Sequence, residues 1–430
     1  MSRFVIHGGA PISGVHRLPG NKNAALPMLA ASLLTSEPVT LTNLPWIKDV
    51  QTMLDLLEDI GAEIDRDTAN HSVRICARRI RRTRLNKSLC GKVRSSVLFA
   101  GPLLARAGGA ILAPPGGDVI GRRRLDTHWA GFTALGATIH PNGCYRLKSA
   151  KRLTGCRFLL DEASVTATEN LVMASVLAKG ETTLYNAACE PHVQDLCRML
   201  NAMGAQIRGI GTNLLTITGV DALKGTEQRI GPDYIDAGSY LVASLVTRGE
   251  LTLTEIEPSD FEVLERPFKR FGVQWTIDAN ARTLKLKGKQ KLKTSGDLNE
   301  TIPSLADGPW PMFPSDLMSV LIVLATQAAG TTLFFEKMFE SRMFFVDHLI
   351  GMGARIVQCD PHRVVVTGVS PLTGTRVASP DIRAGMALLI AALCAKGETV
   401  IQNAGRIDRG YESVEQELRR LGARIDRQED

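Results

Sequence analysis

The 430-residue sequence contains no C-x-x-C pair, no H-x-x-x-H or H-E-x-x-H spacing, and no phosphate loop of the form G-x-x-x-x-G-K-[ST]. Eight cysteines (Cys76, Cys90, Cys144, Cys156, Cys189, Cys197, Cys359 and Cys394) lie scattered along it. They read as free thiols, and no metal site is expected. GIGTNLL holds two of the three glycines of a dinucleotide fingerprint but lacks the strand-to-helix setting that gives them meaning. The opening MSRFVIHGGAPISG has no apolar stretch behind basic residues, so no signal peptide is expected and the cytoplasm is the default location. Apolar runs stop at about 15 residues, short of the roughly 20 that a bilayer requires, which excludes membrane spans. The basic segment CARRIRRTRLNKSLCGKVR, residues 76–94, contains no aromatic residue on which a base would stack. It reads as a solvated face rather than a nucleic-acid surface.

What is present is a positive balance and a repeat. A net charge of +7 and a pI near 9.0 favour anionic partners, phosphorylated metabolites among them. With 44% hydrophobic residues over this length, at least two domains are expected.

An apolar helix leading through a small turn to a β-branched strand recurs six times: LPMLAASLLTSEPVTLTNL, SSVLFAGPLLARAGGAILAP, ENLVMASVLAKGETTLYNA, SYLVASLVTRGELTLTEI, LMSVLIVLATQAAGTTLFFE and GMALLIAALCAKGETVIQNA. Each copy continues into an amphipathic helix that ends at a glycine, at Gly61, Gly136, Gly204, Gly272, Gly353 and Gly422, a period of roughly 70 residues. The first helix of each copy is apolar all round and should be buried, while the second should lie on a surface. Two lobes of three copies are expected, with a boundary near residues 228–238, and the leading strand Phe4 to Ile6 is assigned to the distal lobe.

Polar side chains gather where the buried helices begin, in GNKNAALP, GKVRSS, SVTATEN, FPSDLM and DIRAGM. Lys22, Asn23, Arg94, Ser164, Asp316, Asp381 and Arg383 fall in or near first turns, where free N–H groups and a partial positive charge favour anions. Ser164, Asp316 and Asp381 are equally readable as ordinary N-caps. In PPGGDVIGRRRLDTH, Asp118 sits on a glycine turn ahead of Arg122, Arg123 and Arg124. From the residues alone it is a turn residue, a salt-bridge partner, or an acid held over a bound anion.

The order GNKNAALP, VRSSVLFAGPLLAR, PPGGDVIGRRRLDTH, SVTATEN, NAACEPHVQDL, FPSDLM, FESR, DIRAG and IDRGYE closely resembles the enolpyruvyl transferases from end to end. PPGGDVIG and RRRLDTH resemble the branch that uses a UDP-sugar acceptor. The resemblance implies an α/β fold, a two-domain inverse α/β barrel built from six repeats of about 70 residues. Its lobes would be residues 18–231, carrying the Asp118 loop, and residues 1–17 with 232–430, the active site lying in the cleft between them.

The implied activity moves enolpyruvyl from phosphoenolpyruvate to the 3-hydroxyl of UDP-N-acetylglucosamine, through a tetrahedral phosphate intermediate, with release of inorganic phosphate. That is the first committed step of peptidoglycan synthesis. No cofactor and no metal are implied, and the partners are these small molecules, with no nucleic acid and no membrane.

The resemblance makes Asp118, Lys22, Asp316, Asp381 and Arg409 the catalytic set. Asp118 would donate the proton, Asp316 would be the base near the accepting hydroxyl, and Asp381 would assist the later elimination. Lys22, Asn23, Arg123, Arg383 and Arg409 would surround phosphoenolpyruvate. Among these, Lys22, Arg123 and Arg409 would hold its phosphate, Arg383 its carboxylate, and Asn23 would also touch the sugar. Arg94, Arg123, Arg124, Leu125, Asp126, Thr127, Ser164, Val165, Asp316 and Met338 would contact the UDP-sugar, and Arg342 would line the cleft.

Most members of the family carry cysteine where this chain has Asp118. Glu162 and Tyr234 stand where basic residues are common. Two other readings remain open at this point: a sister transferase acting on UMP or shikimate 3-phosphate, and a non-catalytic binding homologue.

Overall fold

The computed structural model describes residues 2–429. The described residues form six sheets, five of four strands and one of three, around apolar helices. Tyr234–Val246 is buried along its whole length, and Ile382–Cys394 is buried except at its last residue. The full burial follows from a sequence with no polar face to turn outward. Each buried Leu, Ile or Val contributes about 1.5–3 kcal/mol of hydrophobic stabilisation.

The chain folds as two compact units, one of Gly20–Asp118 with Arg123–Gly231, the other of Met1–Pro19, Val119–Arg122 and Pro232–Asp430. In the second unit, Tyr234–Val246, Ser315–Gln327 and Ile382–Cys394 pack against one another at the centre, and three four-stranded sheets cover them. In the first unit, Ala100–Ala107 packs on Val165–Ser175, and Lys22–Ala31 packs on the 3-10 segment Arg94–Phe99.

All five four-stranded sheets share one pattern, a parallel pair followed by two antiparallel pairings. In one of them Thr226–Arg229 runs parallel to Val39–Thr42, which pairs antiparallel with Ser72–Cys76 and that in turn with Glu63–Asp67. The strand Ser2–His7 sits between Glu398–Gln402 and Arg424–Glu429, with Phe4 opposite Ile401 on one side and Arg427 on the other. The two ends of the chain therefore complete one sheet.

The six repeat glycines all adopt positive φ, between 75° and 111°. Each ends a helical segment in a left-handed turn that a Cβ would strain. After Gly61, for instance, the Ala62 N–H bonds back to the Leu57 carbonyl, and Ala137, Ala205 and Ala354 repeat that bond to Phe132, Leu200 and Leu349. The glycines that mark the period in the sequence thus do one mechanical job six times.

One copy departs from the expected uniformity. Its sheet has three strands, Gly109–Leu112, Tyr145–Lys148 and Thr138–Pro141, and a single bridge from Arg84 to Ile111 replaces the leading strand. Its buried helix opens as a 3-10 segment, Arg94–Phe99, before Ala100–Ala107. Pro102 falls in the first turn of Ala100–Ala107, where a residue without an N–H leaves no helical hydrogen bond unmade. The link from this copy's first strand to its surface helix Asp126–Ala134 is also long, spanning residues 113–125, whereas Val39–Thr42 reaches Lys48–Ile60 through 43–47.

Candidate active site

Residues 113–125 form an irregular loop with no strand or helix. Gly117 and Gly121, at φ 100° and 138°, flank Asp118, which is half-buried. A Cβ on Gly116 would come within 1.8 Å of the Gly91 carbonyl oxygen, so backbone meets backbone there and the loop's path is fixed. Just past Asp118, the Arg122 N–H donates to a Glu340 carboxylate oxygen at 3.0 Å, and the Ser341 N–H donates to the Ile120 carbonyl at 3.1 Å. Arg94 reaches the far end of the loop and donates from Nη2 to the Arg123 carbonyl.

Around Arg94 like charges meet. Burial, reinforced by Arg123, lowers its pKa to about 10. Burial and then Arg94 press His128 down to about 3, so its ring is neutral. The amide of Asn170 lies 3.0 Å from His128 Nδ1 and also donates to the Val97 carbonyl at 2.9 Å. With Nδ1 accepting, the ring proton sits on Nε2, which faces the Thr166 hydroxyl at 3.1 Å. Thr127 donates to the Asp161 carboxylate. Leu125 is buried, while Arg124 and Asp126 are exposed and 3.7 Å apart. Ser164 caps its helix by accepting from the Ala167 N–H at 3.4 Å, and Val165 is the first helical residue.

Lys22 and Asn23 are the first two residues of Lys22–Ala31, but the cap is Asn21, which accepts from the Ala24 N–H at 3.1 Å. Lys22 is buried and lies 2.8 Å from the buried carboxylate of Asp49, at the start of the surface helix Lys48–Ile60. Sequence reasoning passed over Asp49, since nothing in its spacing distinguishes it from an ordinary acidic first turn.

In the second unit the charges pair. Asp316 is not the cap of Ser315–Gln327; that position falls to Pro314, without a side-chain bond. Its carboxylate is held on both sides. Arg342 Nη2 donates to Oδ1 at 3.1 Å, and Arg383 reaches Oδ2 from Nε at 3.0 Å and from Nη2 at 2.8 Å. Asp381 is a true cap, accepting from the Arg383 and Ala384 N–H groups at 2.8 and 2.9 Å, and so fixes the backbone that carries Arg383.

The Arg383 guanidinium lies 5.5 Å from the centre of the Tyr411 ring, and the Tyr411 hydroxyl pairs with Ser239 at 2.8 Å. Burial alone would lower the Arg383 pKa, but Asp316, Tyr411 and Asp233 together outweigh it and raise it. Arg409 closes the 3-10 segment Ala404–Arg409, two residues before Tyr411, and Met338 is exposed. Tyr411 itself, although it falls within IDRGYE, carried no sign of this role.

Two buried-helix cores under repeated sheets are the fold of the enolpyruvyl transferases, on whose solved members the chain superposes. The enolpyruvyl transferase NikO from Streptomyces tendae superposes with a TM-score of 0.87 at 25% identity, covering 99% of this chain and 98% of that one. EPSP synthase from Acinetobacter baumannii shares the fold, with a TM-score of 0.76 at 19% identity over the whole of both chains.

The chain belongs to the EPSP synthase (3-phosphoshikimate 1-carboxyvinyltransferase) family, whose model matches residues 6–429. Curated relatives include the UDP-N-acetylglucosamine 1-carboxyvinyltransferase of Treponema denticola, 50% identical over all of both chains. The protein of that name from Borreliella burgdorferi is 51% identical over 99% of each chain. Among the described residues, no helix is long and apolar enough to cross a membrane.

Proposed function

We propose that this chain transfers enolpyruvyl from phosphoenolpyruvate to the 3-hydroxyl of UDP-N-acetylglucosamine and releases inorganic phosphate. The observation that carries this reading is end-to-end relatedness, at 50% identity, to a UDP-N-acetylglucosamine 1-carboxyvinyltransferase. The reaction would be the first committed step of peptidoglycan synthesis, carried out in the cytoplasm.

The chemistry calls for a proton delivered to the methylene carbon of phosphoenolpyruvate while one leaves the sugar hydroxyl. In our reading Asp118 delivers the first. Asp316, its oxygens held in place by the Arg342 and Arg383 guanidiniums, takes the second. Lys22, Arg123, Arg383 and Arg409 hold the phosphate and carboxylate of phosphoenolpyruvate and stabilise the charge-rich tetrahedral intermediate. Asp381 supports its collapse to enol ether and phosphate. Arg94 and the run Arg123 to Thr127, with Ser164 and Val165, take the nucleotide sugar, and Asn23 reaches the sugar.

The test is phosphate release from phosphoenolpyruvate with UDP-N-acetylglucosamine, shikimate 3-phosphate or UMP as acceptor. Release with UDP-N-acetylglucosamine alone is expected. Release only with one of the other acceptors would move the chain to a sister activity, and binding without turnover would make it a non-catalytic homologue.

A further inference from the structure

Behind Asp316 lies a second pair of acids that the proposed reaction does not use. The strands Ser304–Ala306 and Gly330–Phe335 run parallel, with Ala306 opposite Phe335, so the next residues, Asp307 and Glu336, emerge side by side. Both are 0% exposed.

Glu336 is heavily committed. Its Oε1 accepts from the Met338 and Phe339 N–H groups at 3.0 and 3.1 Å, and both its oxygens lie 2.9 Å from the Ser315 hydroxyl, next to Asp316 in sequence. Asp307 Oδ1 accepts from the Lys337 N–H at 2.5 Å, but its Oδ2 meets no N–H or O–H donor among the described residues. Two carboxylates cannot stay buried side by side, and a proton on Glu336 supplies the missing donor. Burial, and then the hydrogen bond with Asp307, push the Glu336 carboxyl up to about 9, against the pull of Arg342.

Arg342 is the link to the reaction. It is 4% exposed and donates to Asp316 from Nη2. Its Nε lies 3.8 Å from Glu336 Oε2, beyond hydrogen-bond reach, and neither Nε nor Nη1 finds a hydrogen-bond partner among the described residues. An ionised Glu336 would attract Nε across that gap and compete with Asp316 for the guanidinium.

We propose that Glu336 is a positioning residue for this reaction: sharing a proton with Asp307, it forms no hydrogen-bonded ion pair with Arg342 and so leaves that arginine committed to Asp316. The inference rests on the role given to Asp316 above. Other charged groups nearby are accounted for. His362 meets Glu336 through the main chain, its Nδ1 2.7 Å from the Glu336 carbonyl, Lys337 Nζ lies over the Phe335 ring, and Arg383 faces Asp316.

The test compares Glu336→Gln, Asp307→Asn and the double variant in the full chain, reading kcat by phosphate release from pH 6 to 10 together with melting temperature. Gln mimics the protonated acid, donating to Asp307 and accepting from Met338, Phe339 and Ser315. Glu336→Gln should keep kcat within about threefold and abolish the fall in kcat near pH 9 that is expected of the wild type. Asp307→Asn lets Glu336 ionise and should lower kcat roughly tenfold, and adding Glu336→Gln should restore it.

A tenfold loss in Glu336→Gln with unchanged melting, or no rescue in the double variant, would overturn the proposal. Melting supplies a readout independent of activity. Because the folded state holds this proton more tightly than the unfolded chain, wild-type stability should fall relative to Glu336→Gln from about pH 4.5 to about pH 9. A gap that does not widen with pH overturns the shared proton even if the wild type has no turnover, and absent turnover with a widening gap overturns only the assigned activity.

Discussion

Arg94 and Asp316 both stand where a buried helical stretch begins, in surroundings of opposite character. Arg94 is part-buried with a second guanidinium, Arg123, beside it and a His128 held neutral, so burial and like charge both lower its pKa. Asp316 is enclosed by Arg342 and Arg383, and its charge is answered twice over. A guanidinium crowded by burial and a like charge gains when an anion arrives, whereas a carboxylate clamped by two arginines already has its charge answered. The first arrangement suits binding and the second suits chemistry. The lesson is that similar positions in repeated units are told apart by the sign of what surrounds them.

The strongest break of this contrast is Asp316→Asn. Removing the carboxylate charge leaves two buried guanidiniums facing a neutral amide, and kcat should fall by about 10²–10⁴ while KM for UDP-N-acetylglucosamine changes little. Steady-state phosphate release decides it, and a kcat within tenfold of wild type would show that the clamp is structural.

Asp118→Cys comes next. The family's usual residue should sustain turnover within about tenfold, since either side chain can carry the proton. It should also make the enzyme open to alkylation by fosfomycin, seen as a mass increase on the peptide that carries the introduced thiol. Wild-type enzyme covalently blocked by the epoxide would count against Asp118 as the cysteine's replacement.

A smaller effect is expected at the Arg94 site. Arg94→Ala removes a charge-assisted contact to the nucleotide sugar and the donor to the Arg123 carbonyl, so KM for UDP-N-acetylglucosamine should rise about 10- to 100-fold. The kcat should fall much less. Titration at low and high salt sharpens the point, because an anion site loses affinity as ionic strength rises.

Most of the fold was legible because it is periodic. The glycines at Gly61 through Gly422 and the all-apolar helices state their roles through spacing alone, and the structure assigns them those roles. The irregular copy was legible only in part. Pro102 was in view, but neither the 3-10 start from Arg94 nor the contact in which Asn170 of the neighbouring helix accepts the Gly101 N–H at 2.9 Å leaves a local pattern.

Around the candidate site, motif order pointed to Asp316 and Arg383 but not to what fixes them. Asp49, Asp307 and Glu336 become partners of Lys22, of each other and of Arg342 through strand register and helix packing between segments distant in sequence. Such partnerships leave no local pattern in a single chain.

His16 offers the smallest and most exacting probe, since it inverts the Asp316 arrangement: a cation held between two carboxylates. Its Nε2 lies 2.6 Å from Asp236 and its Nδ1 2.5 Å from Glu417, and the ring stacks 3.9 Å from that of Tyr240. Burial alone would lower its pKa, but the two acids overcome this and push it up to about 9. A folded pKa above the unfolded 6.5 means that the stabilisation is complete below pH 6.5 and disappears as pH rises through 9. Glu417, held down at about 2 because His16 and Arg420 outweigh its burial, loses its share only as pH falls from 4.5 toward that value. The melting temperature of His16→Gln should therefore lie roughly 2–6 °C below wild type near pH 6, with the two curves converging toward pH 9.5. Taking the difference between the curves cancels the alkaline loss that Glu336 adds to both. Parallel curves would show that His16 is neutral in the folded chain, and the mirror relation to Asp316 would then be one of geometry without charge.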